Sequence, residues 1–190
     1  MRVISVLLNS KDVINNKACE NAMLVTGFVI LTSLGAYVRI PLAFTPVPIT
    51  LQTFFVVLSG AVLGRRLGIF AQASYVALGV LGAPIFQGYH SGFAYLAGPT
   101  GGYLLGFIAA AYVTGWLTER RDTGDFFNTA LAMSAGLFTV YALGVSWLVL
   151  GCGFSPAKAI ALGFIPFIPG AILKFAVVSF LYRAIKRRKS

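Results

Sequence analysis

The chain has 190 residues, 58% of them hydrophobic and only 11% charged, with a formal net charge of +10. Soluble domains carry roughly 25% charged residues, so this composition excludes a surface that faces water on all sides and predicts one compact domain solvated by lipid. At about 20 apolar residues per span, the length admits at most about six spans joined by short loops.

Residues 1–20 read as a polar cytoplasmic tail. The apolar stretch 4–8 is too short for the core of a cleaved signal peptide, and Asn9, Ser10, Lys11 and Asp12 follow it directly. The first apolar run covers residues 21–38 and ends at Arg39 and Pro41. Prolines at 41, 46 and 48 forbid a continuous helix, which predicts an ordered extended loop over 39–50. A short second run, 51–63, stops at Gly64, Arg65 and Arg66, and the third covers 67–81. Residues 84–98 are aromatic, glycine-rich and uncharged. Irregular backbone of this kind at membrane depth has to be buried in protein or line a cavity. The fourth run is 103–117, a polar stretch occupies 118–125, and the fifth run is 126–150. Segment 151–168 holds Pro156, Lys158 and Pro166 and predicts a loop with a short interfacial helix. The sixth run begins near Pro169, a favourable first-turn residue, and leads into a basic tail at 183–190.

The expected fold class is therefore all-α, an integral membrane bundle of six helices with both termini on one side. Charge supports this topology. Twelve of the 15 Lys and Arg fall on the side of the termini: Arg2, Lys11, Lys17, Arg65, Arg66, Arg120, Arg121 and five between 183 and 190. The other side holds Arg39 and Lys158. This bias orients both termini to the cytoplasm and explains the basic composition without nucleic acid. The expected location is the plasma membrane, as a multi-pass protein.

All five acidic residues, Asp12, Glu20, Glu119, Asp122 and Asp125, lie outside the expected spans. Proton-coupled pumps and intramembrane metal enzymes need carboxylates at depth, and no phosphate-binding glycine loop is present. Any uphill transport then needs a partner to supply the work. No catalytic or metal-ligating set is expected: Cys19 and Cys152 have no ligand spacing and His90 stands alone. Lys174 is the one charge inside a span. It lies about 8 Å from the expected outer helix end at ~1.5 Å per residue, where it either snorkels to the interface or meets an anionic ligand. Residues 98–103 (GPTGGY) form a tight turn whose free N–H groups attract polar acceptors, or else serve helix packing. Ala18, Ala22 and Thr26 form a small-residue stripe, suited either to packing inside the bundle or to docking another subunit. Tyr75, Phe86, Tyr89, Phe93, Tyr95 and Tyr103 cluster near the outer side, as belt or core aromatics with one or two able to clamp a ring.

Four stretches together resemble the biotin-specific S components (the BioY family) of energy-coupling factor (ECF) transporters: VPITLQT at 47–53, LGAPIF at 81–86, GPTGGYLLGF at 98–107, and PFIPG at 166–170 followed by Lys174. They occur in family order between about residues 22 and 186. The resemblance implies a non-enzymatic, six-helix, vitamin-binding subunit with its pocket near the outer face and the 39–50 loop as a lid. It also implies no cofactor of its own, since ATP is used only by partner subunits. Those partners would be a transmembrane coupling protein, docked on the small-residue face of the first helix, and two ATPases; transport would involve toppling of the whole subunit. Biotin has an apolar bicycle and tail, a ureido group and a carboxylate, so the expected pocket is mostly apolar with a few placed polar groups. The candidates are Thr45, Thr50, Gln52, Tyr75, Gln87, Tyr89, Thr100, Gly101, Tyr103 and Lys174. One departure stands out: where the family usually has Asp after Pro-Gly at the start of the sixth helix, this chain has Ala171, leaving Lys174 without a neighbouring acid. That departure keeps open an S component for another vitamin or small carboxylate; a stand-alone biotin facilitator is the other alternative.

Overall fold

The computed structural model describes residues 17–120 and 126–170; Ala171, Lys174 and the tails at 1–16 and 183–190 lie outside the described residues. In chain order the elements are α1 (Lys17–Tyr37), β1 (Arg39–Ile40), β2 (Ile49–Thr50), α2 (Gln52–Val80), α3 (Phe93–Ala97), α4 (Gly101–Arg120), α5 (Phe126–Leu150) and α6 (Pro156–Gly163). Two 3₁₀ turns, Gln87–Tyr89 and Ile165–Phe167, complete the set.

Among the described residues, four helices are long and apolar enough to cross a membrane: α1, α2, α4 and Phe127–Leu150 of α5. Their polarity pattern is that of a lipid-solvated bundle. Val56, Val57, Tyr75, Met133 and Val140 are fully buried, yet Met23, Ile30, Phe70, Phe127 and Phe138 are exposed. Helices apolar on both faces cannot rest in water, because the outer face would have nothing to bury against.

The second and third apolar runs lie on one hydrogen-bonded stretch, α2, broken at Gly64 (φ 79°, ψ 174°). Only glycine enters that region without strain. The break folds α2 back on itself: Gln52 meets Tyr75, Ser59 meets Gln72, and Gly60 and Gly68 pass backbone to backbone. The Glu119 carboxylate closes the turn, accepting from the Arg65 backbone N–H at 2.8 Å and pairing with its guanidinium at 3.1 Å. An anion at the start of the second arm also complements the positive end of that helix.

Helix α4 sits between α2 and α5. Gly60 lets the backbone of Ala111 come into direct contact, and Gly106 lets α5 approach at Val140. Close passage of backbones through small residues is the packing mode that membranes favour, since lipid supplies no hydrophobic drive between helices. A buried polar knot ties α1 to this unit: Gln72 Nε2 donates to Ser59 at 3.0 Å and to Thr32 at 3.3 Å.

The segment expected to be extended forms a two-stranded antiparallel hairpin pairing Arg39 with Thr50 and Ile40 with Ile49. Within 151–168, Ser155 caps α6 by accepting from the Lys158 N–H, with Pro156 in the first turn. Residues 168–170 are again helical.

Candidate functional site

A cavity of about 50 Å³ opens at the end of the bundle opposite the Arg65–Glu119 turn. The hairpin contributes Val47, Pro48 and Thr50; the first turn of α2 contributes Gln52 and Thr53. Gln87 and Tyr95 come from the glycine-rich loop, and Thr100, Tyr103, Leu104 and Phe107 from the start of α4. Tyr141 of α5 and Phe167 complete the wall. Five aromatic rings thus alternate with hydroxyl and amide groups, and among the described residues no carboxylate, amine or imidazole joins them.

The polar groups are held by a relay of hydrogen bonds. The Thr50 hydroxyl donates to Gln52 Oε1 at 3.1 Å, Gln52 Nε2 donates to the Tyr75 hydroxyl at 2.7 Å, and that hydroxyl donates to the Ile85 carbonyl at 3.0 Å. A single chain of donors therefore connects hairpin, both arms of α2 and the glycine-rich loop. On the other side, the Tyr103 hydroxyl donates to the Gly163 carbonyl at 2.7 Å, fixing α4 against the end of α6. Tyr103 and Tyr141 both pack on Phe167, with centroids 6.5 and 5.9 Å away, which gives the wall an aromatic corner.

Tyr95 lies between Phe86 and His90, stacked on both at centroid distances of 5.1 and 5.2 Å. Its hydroxyl is buried and has no well-formed hydrogen bond among the described residues. Burial pushes its pKa up, while the side chains of Thr100 and Gln87 and the charge of Arg39 oppose that shift. A buried hydroxyl with only loosely placed side chains around it, on a cavity wall, is a group in want of a ligand or water.

Five candidates read from the sequence meet on this wall: Thr50, Gln52, Gln87, Thr100 and Tyr103. The others are elsewhere. Tyr75 stands behind Gln52, fully buried. Gly101 packs against the Leu96 carbonyl and near Trp147, so it serves helix packing. Thr45 donates to the Leu162 carbonyl at 2.8 Å and fastens the hairpin loop to α6. Tyr89 is 70% exposed and stacks on Tyr37 at 4.6 Å, outside the cavity. Lys174 lies outside the described residues. Ala18, Ala22 and Thr26 are exposed on α1 and face away from the bundle.

The wall includes residues not singled out as candidates. Thr53 closes the 47–53 stretch and Tyr95 belongs to the aromatic cluster, so local signals for both existed. Leu104 and Phe107 lie in the 98–107 stretch and Phe167 in the 166–170 stretch, whereas Tyr141 comes from plain apolar sequence, and only packing brings the three segments together.

Comparison with known proteins places this architecture. Residues 9–190 match the BioY family. The chain is 44% identical over 160 residues to the biotin transporter BioY of Thermotoga maritima, covering 84% of this chain and 92% of that one. It is 42% identical over 157 residues to a probable biotin transporter BioY of Pyrococcus horikoshii, covering 83% and 90%. Its fold is similar to the 2.1 Å crystal structure of the S-component for biotin from an ECF-type ABC transporter, with a TM-score of 0.84, 24% identity, and coverage of 91% of this chain and 94% of that one. With nearly its whole length matched, the chain belongs to the BioY family.

Proposed function

We propose that the chain binds biotin in this cavity and carries it across the plasma membrane as the substrate-specific subunit of an ATP-driven ECF uptake transporter. The chemistry of the wall carries the reading. Five rings suit an apolar bicycle and its tail, and the ring of Thr50, Gln52, Gln87 and Thr100 offers donors and acceptors for a ureido group. The relatives named as biotin transporters support the same ligand. In this reading the two arms of α2 are separate spans, the helix begun at 168–170 is the sixth, and both termini are cytoplasmic. The arginine-bearing turn at Arg65 and Arg66 then faces inward and the cavity outward, in keeping with the distribution of Lys and Arg. Binding of radiolabelled biotin to the purified chain tests the ligand: no saturable binding at nanomolar to micromolar biotin would defeat it, and tight binding of a different carboxylate would redirect it. Uptake into liposomes holding the chain alone, without ATPase partners, would favour a facilitator instead.

The hairpin loop acts as the lid in this reading, with Thr45 as its fastening to α6. Thr45→Val is expected to speed biotin dissociation about fivefold, equivalent to one net hydrogen bond of ~1 kcal/mol. Stopped-flow release with an unchanged rate would separate the loop from gating.

Docking of the coupling protein is assigned to the exposed Ala18, Ala22 and Thr26 face of α1. Ala22→Trp is expected to leave biotin affinity within ~2-fold, as for surface substitutions generally, while abolishing co-purification with the coupling protein and ATPases. Retention of the assembled complex by that variant would move the interface to another helix.

A further inference from the structure

Three groups that line the cavity lie around Arg39. Across the hairpin it pairs with Thr50, and paired residues on one face of a two-stranded ribbon have Cβ atoms about 5 Å apart. Its Nη1 donates to Gln87 Oε1 at 2.9 Å. Its charge also acts on the Tyr95 hydroxyl. Gly88 makes room for this arrangement: with φ +71°, it has no side chain where the Arg39 guanidinium lies, and a Cβ there would sit about 3.1 Å from Cζ. The loop backbone is thus shaped around the guanidinium.

That guanidinium has no carboxylate to neutralise it among the described residues. The ion pair they contain is Arg65–Glu119, at the opposite end of the bundle. Gln87 uses one N–H of the five that a guanidinium carries, so donors remain for a second acceptor. Within range of the Arg39 charge, the buried Tyr95 hydroxyl lacks a well-formed partner.

Resting on the biotin reading above, we infer that Arg39 receives the carboxylate of the ligand at the rim of the cavity, with the Tyr95 hydroxyl donating a second hydrogen bond to it. The ring system then points inward, toward Gln52, and the acidic tail outward, under the hairpin. Arginine suits this role because its planar fork matches a carboxylate in a bidentate manner. Arg39 is exposed, so its contribution is partly screened by salt.

Calorimetric titration of the full chain in detergent with biotin and with biotinamide, whose tail ends in a neutral amide, tests the assignment. Arg39→Met is expected to weaken biotin about tenfold, which corresponds to ~1.4 kcal/mol, and to change biotinamide less than ~2-fold. Arg39→Lys, which keeps the charge, should restore the preference for biotin, and raising salt should erode it in the wild type. Equal losses for both ligands in Arg39→Met would make Arg39 an anchor for Gln87 and overturn the inference. A preference that survives Arg39→Met and vanishes in Lys174→Met would also overturn it, assigning the anion to Lys174. Wild-type protein that binds neither ligand would remove the biotin reading itself, and this assignment with it.

Discussion

Replacing Gln52 with leucine is expected to weaken biotin binding by ~10- to 100-fold, the range for losing one or two buried hydrogen bonds to a polar ligand group. Gln52 is 4% exposed and lies on the cavity wall. Its amide takes the Thr50 proton on one side and gives its own to Tyr75 on the other. Leucine has nearly the same volume and no polar atom, so the shape of the wall survives while the relay breaks at its middle. Tyr75 keeps its bond to the Ile85 carbonyl, which spares that hydroxyl from complete isolation and keeps the cost to folding modest. Calorimetry on the purified variant reads the binding loss, and thermal unfolding of the empty protein reads the cost to the scaffold. Wild-type affinity in Gln52→Leu would take Gln52 out of ligand recognition.

The largest loss of stability is expected from Gly60→Val. A Cβ at position 60 would run into the Ala111 carbonyl of α4, and the far side of Gly60 is already occupied by Gly68 of the second arm. Both neighbours are backbone, which cannot rotate away as a side chain can. Overpacking of this kind costs ~3 kcal/mol at the upper end of the usual range, or about 10 °C in unfolding temperature for a chain of this size. Gly27 of α1 is the control: a Cβ there meets nothing within 4 Å, so Gly27→Ala should be neutral or stabilising by up to ~1 kcal/mol through helix propensity. If Gly60→Val unfolds at the wild-type temperature, the α2–α4 contact is not what holds the bundle together.

Much of the architecture was legible in the chain because membrane helices announce themselves by length and apolarity. The 126–150 run coincides with α5, and the stop at Gly64, Arg65 and Arg66 coincides with the fold-back of α2. Prolines at 41, 46 and 48 predicted an extended segment, and a hairpin lies there. The pairing of Arg39 with Thr50 was not readable, since nothing local sets the register of two-residue strands. The cavity was legible where a motif concentrates polar residues, as at Thr50, Gln52 and Thr100. It was illegible at Tyr141, because an aromatic on an apolar helix looks the same whether it faces lipid, core or cavity. Thr45 and Tyr89 show how little proximity in sequence says about direction. Each neighbours wall residues along the chain, but one turns toward Leu162 and the other toward Tyr37.

The wall of the cavity has a consequence for unloading. Among its described residues, only tyrosines titrate at all, and none of its groups changes charge between pH 5 and 8. A difference in acidity between the two faces of the membrane changes no charge on these wall residues. In the transporter proposed above, unloading then falls to helices that shift and spoil the fit of the wall.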